Sequence, residues 1–521
     1  MALQSQNEET YYSRSQWKRG YYFFLFYQSL HIALFILLFT LLQQQNKPNE
    51  FLLLISGIVN IVIYTKLLLN DIRFGKARIN PLWFYLGMSI LRLGVGTLYV
   101  ALVIGSGDYW AIKLGRIDAF TQLMEGHTLL MLGDFFFIGG FFWGRNLWGS
   151  KQREPISARK SQLKTYKSGL AIVMFTFGIR ILQMFFSLGG LGQIVGYITD
   201  YGIPAGIFLM LSSCRKRGQS VIHPEMLLAL TLLGVNIISG LSSYMKSDLL
   251  ISILPVVFLL FDTDSKPFDK LKNKRLSSKK ILGIAIIAYL FLFVISGYSE
   301  IRRAGFWKNM SSTDLVISAK FAPEVLPDLL DALEGAVPGT EAFSEIHSYP
   351  VGGAWHLLKR LSVTSWGATA IKLVEVSGTK NENFFASVLV SITPRILFPD
   401  KAKIVWGKEL AVELGQAKSV ATATTATALT MQGFLYWWGG YIYVALLSLL
   451  SGFIFASVYG LFLKDWQINP ISALVIMMLA YDGFHWKEGD VLAGFPQYLY
   501  VLIIFLPLSR LISHLFYASK N

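Results

Sequence analysis

KPFDKLKNKRLSSKKILGIAIIAYLFLFVISGYSEIRR, from Lys266 to Arg303, decides how the rest of the chain is read. A dense basic run, Lys266–Lys280, precedes an apolar stretch over 281–297, and then Tyr298, Glu300, Arg302 and Arg303 open a polar region. An apolar run of this length approaches the thickness of a bilayer. In lipid its backbone can satisfy itself only as a helix or within a closed barrel. Cationic side chains collect in the loops that stay in the cytoplasm. The segment therefore reads as a helix that leaves the cytoplasm at Lys280 and emerges outside at Tyr298. About 140 residues, from Tyr298 to Tyr436, follow before long apolar runs resume.

The same pattern extends in both directions. The chain has 521 residues, 53% of them hydrophobic, and a mean hydropathy of +0.48. Soluble domains do not string apolar residues into repeated runs of about 20. Twelve spans are expected, over 21–42, 51–69, 82–105, 127–148, 168–187, 193–213, 225–242, 247–262, 281–297, 437–463, 470–486 and 494–513. The eighth is short and contains Pro255. The runs are continuous rather than alternating, which selects helices. The expected fold is an all-α polytopic membrane protein with three regions: membrane helices over 1–297, an external loop domain over 298–436, and membrane helices over 437–521.

The net charge is +15. In a soluble protein that would point to nucleic acid. Here the bases sit in alternate connections: Arg14, Lys18 and Arg19; Arg73, Lys76 and Arg78; Lys151–Lys164; Arg215–Arg217; and Lys266–Lys280. The other short connections hold few, such as Lys47, Lys113, Arg116 and Lys246. This asymmetry places both termini in the cytoplasm and residues 298–436 outside, and no nucleic-acid partner is expected. A single cysteine, Cys214, excludes an internal disulfide and a cysteine metal cluster. No cleavable signal peptide is evident, because the first apolar stretch is too long.

Within the loop, Leu357–Val374 has helical spacing. Phe384–Ile392 is apolar but too short to span, and Ser419–Thr430 is rich in Thr and Ala. Inside the predicted spans, Arg92, Asp134 and Arg180 are costly in lipid. Two readings stand: Asp134 pairs with Arg92 or Arg180 to fix helix register, or the arginines reach an anionic lipid head group through a cavity. Asp482, His485, Lys487, Glu488 and Asp490 cluster beside Trp486 at the last outer turn. Arginine presents a planar fork suited to phosphate oxygens. Arg302, Arg303, Arg360 and Arg395 supply four such forks in one external region. No nucleotide-binding loop, metal-ligand cluster or nucleophile elbow is visible, so an external transfer reaction needs a donor that is already activated and lipid-linked.

The segments LKRLS (Leu358–Ser362) and SITPRILFPDK (Ser391–Lys401), with Gly407, GFLYWWGG (Gly433–Gly440) and Gly452, resemble the Wzy-type O-antigen polymerases, also called oligosaccharide repeat-unit polymerases. The detailed resemblance covers about 355–455. Phe398 stands where tryptophan is common in that family, and Ala402 where proline is common. The resemblance implies a metal-independent glycosyltransferase without cofactor, at the external leaflet of the bacterial inner membrane, with a fold similar to the lipid-dependent membrane glycosyltransferases. The glycan on undecaprenyl diphosphate acts as donor, and a hydroxyl of an incoming lipid-linked repeat unit acts as acceptor. Arg302, Arg303, Arg360, Arg395 and Lys401, with Arg92 and Arg180 from the spans, are the candidates to hold the diphosphate. Glu300, at the membrane edge beside Arg302, is the first candidate base, His356 the second and Asp482 the third. Membrane lipids, a chain-length regulator and a flippase of the same pathway are the implied partners. Two other readings compete: an O-antigen ligase of similar architecture, and a transporter or flippase for lipid-linked sugars. A transporter should show internal repeats and little external mass; no convincing repeat joins the halves.

Overall fold

A computed structural model describes residues 2–44, 50–74, 79–104, 120–149, 162–185, 192–242, 246–261, 361–380, 383–392, 406–414, 418–420, 429–463, 465–485 and 497–517. These residues are almost entirely helical, and no strand occurs among them. The expected ninth span, and the loop as far as residue 360, lie outside them.

Seven helical segments are long and apolar enough to cross a bilayer: Trp17–Gln43, Glu50–Ile72, Leu82–Ile104, Phe120–Leu147, Gln162–Gln183, Met431–Phe462 and Gln497–His514. They make the chain an all-α, multi-pass membrane protein. Pro224–Gly240, Asp248–Leu259 and Pro470–Gly483 are apolar but shorter. The expected sixth span is a helix over Gly192–Lys216, yet it is not among the seven. Its first turns carry Gln193, Tyr197, Thr199, Asp200 and Tyr201, which lower its apolar content.

In chain order, the helices of the larger unit begin with α1 (Ala2–Gln44), α2 (Glu50–Phe74), α3 (Leu82–Ser89), a π-turn (Ile90–Val95) and α4 (Gly96–Ile104). Then come α5 (Phe120–Gly149), α6 (Gln162–Phe185) and α7 (Gly192–Lys216). Two compact units divide the chain: residues 1–217 with 362–521, and residues 218–361. In the smaller unit α8 (Pro224–Ser242) packs on α9 (Lys246–Phe261). There Asn236 Nδ2 donates to the Ser252 carbonyl at 3.1 Å. The larger unit resumes with α10 (Thr364–Ser377), α11 (Phe384–Ile392), α12 (Trp406–Glu413), α13 (Met431–Phe462) and α14 (Pro470–His485). The last span carries a π-turn at Val501–Phe505 and ends as α15 (Leu506–Tyr517).

Helix α5 is the spine of the larger unit. Gly126, Gly133 and Gly140 recur every seven residues, with Gly144 four further on. A Cβ at Gly126 would strike the backbone of Gly367 and Ala368 in α10, and one at Gly140 the Leu449 carbonyl in α13. Gly452 returns the contact on the Phe137 carbonyl. Small residues at a repeating position let helix backbones meet where lipid offers no hydrophobic drive for association. The partners rise together along both helices, so α5 and α13 run parallel.

Helix α10, which follows the long polar region, is therefore packed in the helical bundle. Thr364, Ser365, Gly367, Ala368, Thr369 and Ala370 are all buried. Its first hydroxyl, on Thr364, lies 3.4 Å from that of Thr97. Thr97 in turn meets His127, and His127 meets Ser56 at 2.8 Å. These polar rungs tie α10 to α4, α5 and α2.

Candidate functional site

Of the residues singled out in the sequence, Glu300, Arg302, Arg303, His356, Arg360, Arg395 and Lys401 lie outside the described residues. Arg92, Arg180 and Asp482 lie within them.

Arg180 bonds the first turns of α7, and Asp482 lies within electrostatic reach of two tyrosines in the same turns. Arg180, near the end of α6, donates from Nη2 to the Thr199 carbonyl at 2.9 Å. Asp482 closes the apolar run of α14, and Tyr197 and Tyr201 of α7 lie within electrostatic reach of it. Those two tyrosines are four residues apart, which puts them on one helix face. The Tyr201 ring packs 5.9 Å from that of Tyr481. Gln497 Nε2 and the Tyr498 hydroxyl, opening the last span, donate to Asp482 Oδ2 at 2.8 and 2.9 Å. Asp200 and Tyr500 complete the surroundings. This arrangement offers a guanidinium fork, a half-exposed carboxylate and several phenolic rings at one end of a helix. It can bind an anion, accept a proton and stack on a sugar.

The same end of α14 abuts the first turn of α3. A Cβ at Gly483 would stand 2.8 Å from the Pro81 carbonyl and 3.6 Å from Phe84 Cβ.

Asp134 takes its mapped hydrogen bonds from four neutral side chains: Tyr64 at 3.2 Å, Tyr85 at 2.7 Å, Ser89 at 2.9 Å and Gln432 at 3.0 Å. Arg180 reaches Thr199 instead. Arg92 sits in the π-turn, buried, within electrostatic reach of Tyr85. A π-turn shifts the backbone pairing of a helix; Asn60 Nδ2 donates to the Leu93 carbonyl there at 3.3 Å, and Gln28 holds Asn60. One buried ion pair among the described residues was not expected from the sequence. Arg145 meets Asp71, and the Asp71 carboxylate is also bonded by Trp17, Tyr21, Asn80 and Trp83.

A second polar group lies where α5, α10 and α13 begin and end together. Gln122 Nε2 donates to Glu375 at 2.8 Å. Glu125 lies within electrostatic reach of Glu375, and Tyr436 within reach of both. Close by, α13 is interrupted at Gly439 and Gly440, the latter at φ +66, a left-handed conformation suited to glycine. The interruption frees the Trp437 carbonyl, and Lys380 N–H fills it at 2.9 Å. The Lys380 ammonium pairs with Glu409 at 2.6 Å and lies over the rings of Trp437 and Trp438. Nine residues of α5 separate Glu125 from Asp134, about 13 Å of helix. Asp134 is itself bonded to Tyr85, whose backbone N would stand 3.4 Å from a Cβ at Gly483 of α14. This group and the Arg180–Asp482 cluster are therefore distinct places.

Among the described residues no group of three or more His, Cys, Asp or Glu side chains is placed to hold a metal ion. Fold and site together define a helical membrane protein with an arginine and an open carboxylate at one helix end. In comparisons with known proteins, no family model matches the chain, and no curated protein and no solved structure matches it.

Proposed function

We propose that the protein is a polymerase that joins lipid-linked oligosaccharide repeat units at the external leaflet of a bacterial inner membrane. One observation supports the reading: Arg180, a candidate anion-binding group, bonds the Thr199 carbonyl in the first turns of α7, and Asp482, a candidate base, lies within electrostatic reach of Tyr197 and Tyr201 in the same turns. The acceptor hydroxyl attacks the anomeric carbon of the donor glycan. The new glycosidic bond forms as the bond from that carbon to the diphosphate breaks. The hydroxyl proton passes to Asp482, and undecaprenyl diphosphate departs with the electron pair. Arg180 contributes charge to the diphosphate, where negative charge grows in the transition state. Arg302, Arg303, Arg360, Arg395 and Lys401 stay the other candidates to bind the diphosphate, and Glu300 and His356 the other candidate bases.

The proposal includes twelve spans, both termini in the cytoplasm, and an external region over 298–436. The charge pattern assigns the connection before α3 to the cytoplasm and the end of α14 to the outside. The contact of Gly483 with Pro81 and Phe84 runs against that assignment for α14, because it sets the end of α14 beside the start of α3.

Glycan length profiling in a deletion strain tests the function. Loss of long polymer with a single repeat unit still displayed supports polymerase. Loss of all surface glycan replaces it with ligase or flippase.

A further inference from the structure

The carboxylates of the bundle differ in how their two oxygens are used. Asp71 has both occupied: Trp17, Tyr21 and Arg145 reach Oδ1, while Asn80 and Trp83 reach Oδ2. At Asp134, Tyr85 and Gln432 reach Oδ1, and Tyr64 and Ser89 reach Oδ2. Asp465 follows the same rule, with Ser472 on Oδ1 and Asn469 and Ser513 on Oδ2. Saturation of both oxygens is what burial demands, because an ionised carboxylate in apolar surroundings is costly unless its lone pairs are met. Asp482 breaks the rule. Gln497 and Tyr498 both donate to Oδ2, and neither reaches Oδ1.

The asymmetry is built by the fold. Gln497 and Tyr498 are consecutive in the first turn of the last span, and both are buried. Neighbouring side chains on a helix diverge by about 100°, yet these two converge on one oxygen. A carboxylate anchored this way cannot exchange its two oxygens without breaking two hydrogen bonds. Among the described residues Oδ1 takes no hydrogen bond, and Tyr197 and Tyr201 lie within electrostatic reach of the same carboxylate.

We infer that Oδ1 of Asp482 is the oxygen that takes the proton of the acceptor hydroxyl, and that Gln497 and Tyr498 are positioning residues that hold it in place. The inference rests on the proposed glycosyl transfer and assigns roles to residues that the sequence reading did not select. A base works only within hydrogen-bond reach of the proton it removes, and small displacements of a reacting group are costly to rate. Loss of either donor should therefore lower turnover more than substrate binding.

The test uses the full-length protein in detergent or nanodiscs with a lipid-linked repeat unit as substrate. Tyr498→Phe removes one hydroxyl and keeps the ring. It should lower kcat roughly tenfold to a hundredfold, the effect of losing one hydrogen bond to a charged group. KM and the unfolding midpoint should stay at wild-type values. Gln497→Leu should behave likewise. Asp482→Asn should lower kcat by about 10²–10⁴, and adding Tyr498→Phe to it should cost nothing more, because the two act as one unit. Wild-type turnover in Asp482→Asn overturns Asp482 as the base, and the inference with it. An inactive Asp482→Asn beside fully active Tyr498→Phe and Gln497→Leu overturns only the positioning roles. If Asp482→Asn fails to fold, Asp482→Glu keeps the charge but moves it by one methylene; full activity in that variant overturns the positioning argument.

Discussion

The guanidinium of Arg145 meets the carboxylate of Asp71 at 2.6 Å, with both side chains sealed from solvent. Arg145 also lies over the Trp17 ring at 4.4 Å, and Trp17 donates to Asp71 at 2.6 Å. The pair therefore joins α1, α2, the entry to α3, and α5 in one knot. Removing one partner of a buried ion pair strands the other and costs about 3–5 kcal/mol. Arg145→Met should lower the unfolding midpoint sharply or prevent folded protein from accumulating. Arg145→Met with Asp71→Asn should recover part of the loss, since no charge is then stranded. Thermal unfolding of the purified variants decides it; a single variant as stable as wild type would remove the knot from the fold.

A second stability prediction concerns α5. A side chain at position 140 would meet a backbone carbonyl, which cannot swing aside as a flexible side chain can. Gly140→Leu should destabilise by at least the 1–3 kcal/mol or so typical of overpacking and separate α5 from α13. Gly178→Ala in α6 is the control, because nothing stands within 4 Å of the added methyl. Equal stability of the two variants would contradict the close crossing.

The contrast between these features and the spans shows what the sequence can reveal. Long apolar runs such as Glu50–Ile72 and Met431–Phe462 were legible because lipid imposes a length and a composition on each segment separately. Helix α7 was legible as a helix but is too polar to count with them, and its polar first turns are the ones that face Asp482. Asp482 and Arg180 drew attention because ionisable groups near apolar runs are rare. The Asp71–Arg145 pair was not legible: 74 residues separate the partners, and Asp71 reads as the polar fringe of a basic connection. Gln497 and Tyr498 looked like ordinary residues of a membrane interface. Only three-dimensional packing gives them a shared target. Their one available signal was a polar pair opening an apolar span directly after a span that ends in Asp482.

Contact between α14 and α3 predicts a cross-link. A Cβ at Gly483 would lie 3.6 Å from that of Phe84, within the usual range for a disulfide. In a Cys214→Ser background, Phe84→Cys with Gly483→Cys should join under mild oxidation, seen as protease fragments that separate only after reduction. No cross-link, with both thiols reactive to a small permeant reagent, would detach the end of α14 from α3.

Sidedness needs its own test, because that contact sets the end of α14 beside the start of α3, which the charge pattern gives to the cytoplasm. The charge pattern places Lys266–Lys280 inside and the long polar region outside. Single cysteines replacing Ser278 and Ser344, in the same cysteine-free background, should respond oppositely to an impermeant maleimide added to intact cells. Position 344 should label and position 278 should not. The reverse pattern would turn the protein over in the membrane and end the reading as an external transferase.

Arg180 gives the sharpest test of the diphosphate site. Its Nη2 contact to the Thr199 carbonyl uses one of the five donors of a guanidinium. That contact ties one edge of the fork to α7. Lysine keeps the charge but has no fork. If Arg180 binds the diphosphate, Arg180→Lys should lower kcat/KM with the lipid-linked donor by roughly tenfold to a hundredfold. Arg180→Ala should lower it further, and both should unfold at the wild-type midpoint. If Arg180 only braces α6 against α7, the midpoint should fall while turnover per folded molecule holds. Raised salt separates the cases again: screening acts on an exposed charge that attracts an anion, and hardly at all on a bond to a buried carbonyl. A wild-type enzyme whose KM for donor ignores salt, together with an active Arg180→Ala, would exclude Arg180 from the site.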